Sequence, residues 1–130
     1  MALLKDEPAA PEVEELLRGG VGMAAVNLAE AIDVLGRVDG VPPERLRELI
    51  EPLLVGPITV LSVTARQAWR AAELRRRHYH RRSCPLSLAD CLLLAACAGE
   101  YELATADPDL LAVAALEGLA VRRLTDARGG

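Results

Sequence analysis

Three carboxylates separated by long stretches of chain, Glu30, Asp90 and Asp107, share one local setting: each stands in the opening turn of an expected helix. Glu30 ends Asn27-Leu28-Ala29-Glu30, Asp90 ends Ser87-Leu88-Ala89-Asp90, and Asp107 lies in Thr105-Ala106-Asp107-Pro108, each ahead of or opening an apolar run. In an α/β fold such helix starts collect at one edge of the sheet, outside the carboxyl ends of parallel strands, where ligands bind. Carboxylates gathered there repel one another unless they share a proton or a cation, and a hard divalent ion is their natural partner. Each acid also has a structural use: Glu30 and Asp90 can bond back toward Asn27 and Ser87, and Asp107 can be a plain N-cap. The joint pattern is what points to a single acidic site.

The elements that must position these acids follow from periodicity and turn chemistry. Short and long apolar runs alternate, the pattern of βα units and a parallel sheet. Residues 21–26 read as a short buried strand, after which Asn27 is expected to cap a helix to about Asp39, with Ile32, Leu35 and Val38 on its inner face. Pro43 suits the first position of a second helix carrying Leu46, Leu49, Ile50 and Leu53. Residues 58–63 are rich in β-branched side chains and read as a strand. Thr64 with Gln67 forms a capping box for a helix to about His80, with Ala65, Ala68, Ala72 and Tyr79 as its small-residue face and Arg66, Arg70, Arg77 and Arg81 as a solvent-facing stripe. Ser87 caps an apolar, central helix closed by Gly99; residues 102–105 form a strand; Asp107 and Pro108 open a helix that ends before Gly118; residues 119–124 make a last strand. The whole reads as one domain over residues 1–126 with a short tail, 127–130.

At 130 residues, 52% apolar and 26% charged, the chain can bury a core and fits neither a disordered nor a low-complexity class. No apolar run is long enough for a membrane span, and the start has no signal-peptide layout, so the expected location is the cytoplasm. Cys84, Cys91 and Cys97 include no CxxC pair and are expected to be reduced and partly buried. The net charge of −4 hides a polarity: residues 70–82 hold six Arg and one Glu, a net +5, which leaves −9 for the remainder. A basic strip beside an acidic centre suits a polyanion, although a solvated helix face is the plain alternative. Trp69, Tyr79 and Tyr101 are too few and too scattered for a base-stacking platform.

Residues 27–30, Leu86-Ser87-Leu88-Ala89-Asp90-Cys91 and Thr105-Ala106-Asp107-Pro108-Asp109-Leu110 resemble, in order and spacing, the successive motifs of PIN-domain ribonucleases, in particular VapC-like toxins of toxin–antitoxin pairs. The resemblance implies a three-layer α/β/α fold with a mainly parallel sheet and a metal-dependent endoribonuclease. Matched residue by residue, Glu30, Asp90 and Asp107 take the place of the family's metal-binding catalytic acids, with Asp109 assisting and Thr105 orienting the site. Mg²⁺ or Mn²⁺ is the implied ion, RNA the implied substrate, and a homodimer with a cognate antitoxin the implied assembly. Family members open with a strand ending in a metal-binding Asp. Lys5-Asp6-Glu7-Pro8 is similar to the segment that follows that strand, so the strand and its Asp are expected to be missing here, with weakened activity. Two other readings compete: a non-catalytic RNA- or antitoxin-binding remnant, and a different doubly wound module such as a response-regulator-like domain, for which the early acidic pair and a convincing Lys are lacking.

Overall fold

Five short strands, each too small to hold together alone, assemble into one parallel sheet through the helices that connect them. The computed structural model describes residues 2–4, 12–99 and 101–124. In chain order these form β1 (Ala2–Leu4), α1 (Glu12–Gly19), β2 (Val21–Ala24), α2 (Ala25–Asp33), α3 (Pro43–Leu54), β3 (Ile58–Leu61), α4 (Ala65–His78), α5 (Leu88–Ala96), β4 (Glu102–Thr105), α6 (Pro108–Leu116) and β5 (Val121–Arg123). The sheet order is β3-β2-β1-β4-β5 with every pair parallel. Strand order therefore reverses where β1 meets β4, the position at which a doubly wound sheet opens a crevice.

The expectation of a missing first strand is overturned. β1 occupies the centre of the sheet, with Leu3 paired to Gly22 on one side and to Leu103 on the other. Three apolar residues are too few to show the alternation that announces a strand, and the bonds come from two neighbours rather than from the length of the segment itself. Ala2-Leu3-Leu4 carries no carboxylate. Residues 5–8, matched above to a helix-opening segment, lie outside the described residues, as does the tail at 127–130.

Successive residues of β4 enter different cores, which is what a sheet covered on both faces requires. Leu103 joins Ala71, Leu74, Leu93, Leu94, Leu110 and Val113 of α4, α5 and α6. Ala104 joins Val21, Met23, Ile58 and Leu124, against which Leu17, Leu28, Leu53 and Leu54 pack. The fold is thus the expected three-layer α/β/α arrangement, with α5 central: Cys91, Leu93, Leu94, Ala95 and Ala96 are all buried. Among the described residues no helix is long and apolar enough to cross a membrane.

Two helix faces differ from expectation. β2 runs straight into α2 without a loop, so Ala24 is the N-cap, Asn27 lies inside the helix, and Glu30 sits in the second turn rather than the first. A π-helical turn, Val34–Val38, closed by Asp39 N–H donating to the Val34 carbonyl at 3.0 Å, then shifts the helical phase and leaves Ile32 and Val38 exposed. On α4 the buried face is Ala71 and Leu74, while Ala65, Ala68 and Ala72 face solvent. Elsewhere the stops hold. Gly118 (φ +69°) ends α6 in a Schellman motif, its N–H bonded to the Ala115 carbonyl at 3.2 Å and that of Leu119 to Ala114 at 2.9 Å.

Candidate functional site

The carboxyl end of β4 delivers the first acid. Thr105 is fully buried, and its Oγ1 accepts the Asp107 N–H at 3.0 Å, turning the chain out of the sheet. Asp107 then caps α6 as expected, its Oδ1 accepting from the amides of Asp109 (2.9 Å) and Leu110 (3.4 Å). Asp109 follows in the first turn of the same helix.

Asp90 is the third helical residue of α5 and is buried. The expected capping box is complete: Ser87 N–H donates to Asp90 Oδ2 at 3.1 Å, and Asp90 N–H donates to Ser87 Oγ at 3.0 Å. The side chain is thereby held beneath the α5 terminus by its own cap.

One thiol registers how these acids are grouped. Cys84, half-buried before α5, is pushed up from the usual thiol range by burial and then by the negative charge of Asp109, Asp107 and Asp90. The charges of three of the four acids expected at the site thus reach this one thiol. All three cysteines are free thiols; burial raises Cys91 to about 11, with Asp90 contributing, and Cys97 to about 12, so neither is a nucleophile at neutral pH.

Glu30 is held differently. Asn27, fully buried inside α2, donates from Nδ2 to Glu30 Oε1 at 3.1 Å. Sequence reasoning treated Asn27 as a cap and missed this orienting role; the Asn-x-x-Glu spacing on one helix face was the available signal. Asn27 Oδ1 is buried without a hydrogen-bond partner among the described residues. Such an acceptor suits a cation that keeps part of its water shell.

The donor set is all hard oxygen, which fits Mg²⁺ or Mn²⁺ and not a soft metal. Among the described residues, however, no three carboxylates, thiols or imidazoles stand close enough to hold one ion between them. The expectation of a preassembled three-acid cage is thus not met by these residues. What they fit is the water-rich mode usual for Mg²⁺, in which one or two carboxylates are direct ligands and substrate phosphate completes the shell.

The expected stripe does face solvent at Arg66, Arg77 and Arg81, but half of the basic strip, Arg70, Arg75 and Arg77, is also engaged in structure. Arg70 and Arg77 both reach the nearly buried Glu117, at 2.8 and 2.9 Å, and His78 Nε2 lies 2.6 Å from the same carboxylate. Arg75 donates to the Leu86 carbonyl at 3.2 Å and lies over the Tyr79 ring. The strip locks the end of α4 onto the C-cap of α6.

Comparison with known proteins agrees with this architecture. Curated proteins yield no match. The crystal structure of FitAcB from Neisseria gonorrhoeae is similar over 93% of this chain and 96% of that one, with a TM-score of 0.60 and 23% identity, a likeness of fold. The PIN domain model matches residues 1–116. Acids at the starts of α5 and α6, a parallel sheet reversing beside them and a family match over most of its length place this chain in the PIN domain family.

Proposed function

We propose that this chain is a metal-dependent endoribonuclease, the toxin of a toxin–antitoxin pair. The observation that carries the reading is that Asp90 opens α5 and Asp107 and Asp109 open α6 just past the carboxyl end of β4, with the charge of all three reaching Cys84, in a PIN domain. Of Asp90, Asp107 and Glu30, one or two would ligate Mg²⁺ or Mn²⁺ directly and the rest through its water shell, with Asp109 assisting. A bound ion supplies polarisation of the scissile phosphate and a lowered pKa for the attacking water. The chain's own residues supply position: Ser87 fixes Asp90, Thr105 fixes the turn bearing Asp107, and Asn27 fixes Glu30. Among the described residues the buried thiols of Cys91 and Cys97 stay protonated and offer no competing nucleophile.

The test is cleavage of a structured RNA with and without Mg²⁺ or Mn²⁺. Wild type should cut only with metal, and Asp90→Asn, which keeps a capping oxygen, should lose activity by about 100-fold or more while remaining folded. A thermal shift gives a second readout: an ion at ~100 times its Kd adds about 2.7 kcal/mol of stability, and Asp107→Asn should reduce that gain. A folded, metal-stabilised wild type without cleavage would sink the assignment.

A second reading, a non-catalytic module that binds RNA or antitoxin, is favoured by one observation: no three described acids close on one ion. It predicts no stabilisation by Mg²⁺ or Mn²⁺. In either reading we place the antitoxin against the apolar cleft of about 330 Å³ between α2 and α3, lined by Ile32, Pro43, Leu46, Ile50 and Leu54. An amphipathic helix is the occupant such a cleft accepts. A homodimer acting on RNA in the cytoplasm completes the proposal.

A further inference from the structure

We propose that the turn His80–Cys84, which carries Arg81 and Arg82 between α4 and α5, is a preformed phosphate clamp that seats the RNA strand beside the acidic site. The inference rests on the ribonuclease reading and adds the residues that hold the substrate. Three observations support it.

The turn is closed and internally braced. His80 N–H donates to the Cys84 carbonyl at 2.8 Å and Cys84 N–H to the His80 carbonyl at 3.0 Å, an isolated antiparallel bridge. His80 Nδ1 accepts two further amides, from Arg82 and Ser83, each at 3.2 Å. The two arginine backbones are therefore fixed before any ligand arrives, which lowers the entropic cost of binding.

Those arginines are also available. Arg70, Arg75 and Arg77 are engaged with Glu117, Leu86 and Tyr79, whereas Arg81 and Arg82 are exposed and have no ion-pair partner among the described residues. Arg66 and Arg76 are likewise exposed, but belong to α4 rather than to the turn.

The turn is tied to the acids. The Cys84 carbonyl also accepts the Leu86 N–H at 2.9 Å, Leu86 is buried and holds Arg75, and Ser87 next in the chain binds Asp90. Cys84 itself lies within the field of Asp90, Asp107 and Asp109. An acidic edge repels a polyanion, so a nuclease needs fixed cations next to it to bring phosphate in. Two guanidiniums on a rigid turn meet that need, and each can take a phosphate through two parallel N–H bonds.

The experiment measures the affinity of the full chain for a short fluorescent single-stranded RNA across a range of salt, in an Asp90→Asn background that prevents cutting. Replacing Arg81 and Arg82 together by Ala should weaken binding about tenfold or more and reduce the slope of log K against log salt by about 1.4, at ~0.7 per lost phosphate contact. His80→Leu should reproduce much of that loss with the melting temperature little changed, and His80→Asn, which restores an acceptor near the Nδ1 position, should recover it. An unchanged slope overturns the clamp, as does an equal loss from Arg66→Ala with Arg76→Ala, which would mean diffuse charge. Lost affinity for a polyglutamate probe with the RNA slope intact would give the turn to an acidic protein partner and also overturn it. Failure of the parent reading looks different: an uncleaving wild type that still binds RNA through Arg81 and Arg82 sinks the nuclease and leaves the clamp.

Discussion

Glu117 shows how a single carboxylate can organise charges that look like a free surface in the sequence. It sits at the C-cap of α6, where the negative end of the helix opposes an anion. Hydrogen bonds from His78 and then Arg77, with the charge of Arg70, outweigh that and hold its carboxyl down to about 2. A folded pKa below the unfolded one, 4.5, means that its contribution is fully present above about pH 4.5 and is lost as pH falls toward 2. Glu117→Gln should therefore cost roughly 1–3 kcal/mol at neutral pH, by leaving a cluster of cations without their shared anion. It should cost much less at pH 2. Urea denaturation of both proteins at several pH values checks this; an equal deficit at pH 2 and pH 7 would show that the carboxylate's charge does not matter. His80 and Asn27 belong to the same scale, since neither is an acid and each holds in place a residue of the proposed site or clamp.

At the scale of elements, helix starts serve both stability and chemistry, and two capping boxes allow the two to be separated. Thr64 with Gln67 opens α4 away from the acids, and Ser87 with Asp90 opens α5 among them. Removing either hydroxyl, Thr64→Ala or Ser87→Ala, should cost about 1 kcal/mol. Only Ser87→Ala should also reduce RNA cleavage, because only that cap holds a carboxylate of the proposed site. Equal activity in the two variants, at matched stability, would make the Ser87 box purely structural. Both boxes were readable from sequence because a capping box is local, three residues from hydroxyl to partner. α2 was misread for the opposite reason: its cap is the backbone of Ala24 where β2 ends, and no side chain announces that.

For the whole molecule, the decisive feature is the three-residue strand at the centre of the sheet. Leu3 is bonded between two neighbours, whereas Val121 opens the edge strand β5. Leu3→Pro should abolish cooperative unfolding by circular dichroism and calorimetry, while Val121→Pro, at a position where edge strands tolerate proline, should be milder. Equal tolerance of the two would contradict the sheet order. By itself the sequence determined the βα alternation, the capping boxes, the Gly stops, the apolar character of α5 and the acids Asp90, Asp107 and Asp109 at helix starts, since each depends on spacing within a few residues. Tertiary structure alone decided what depends on residues distant in the chain: that Ala2–Leu4 is the central strand, that Arg70, Arg77 and His78 meet Glu117 across about 40 positions of chain, and that the charges of Asp90, Asp107 and Asp109 all reach Cys84. These outcomes follow from packing both sheet faces at once, a constraint that local propensity does not encode.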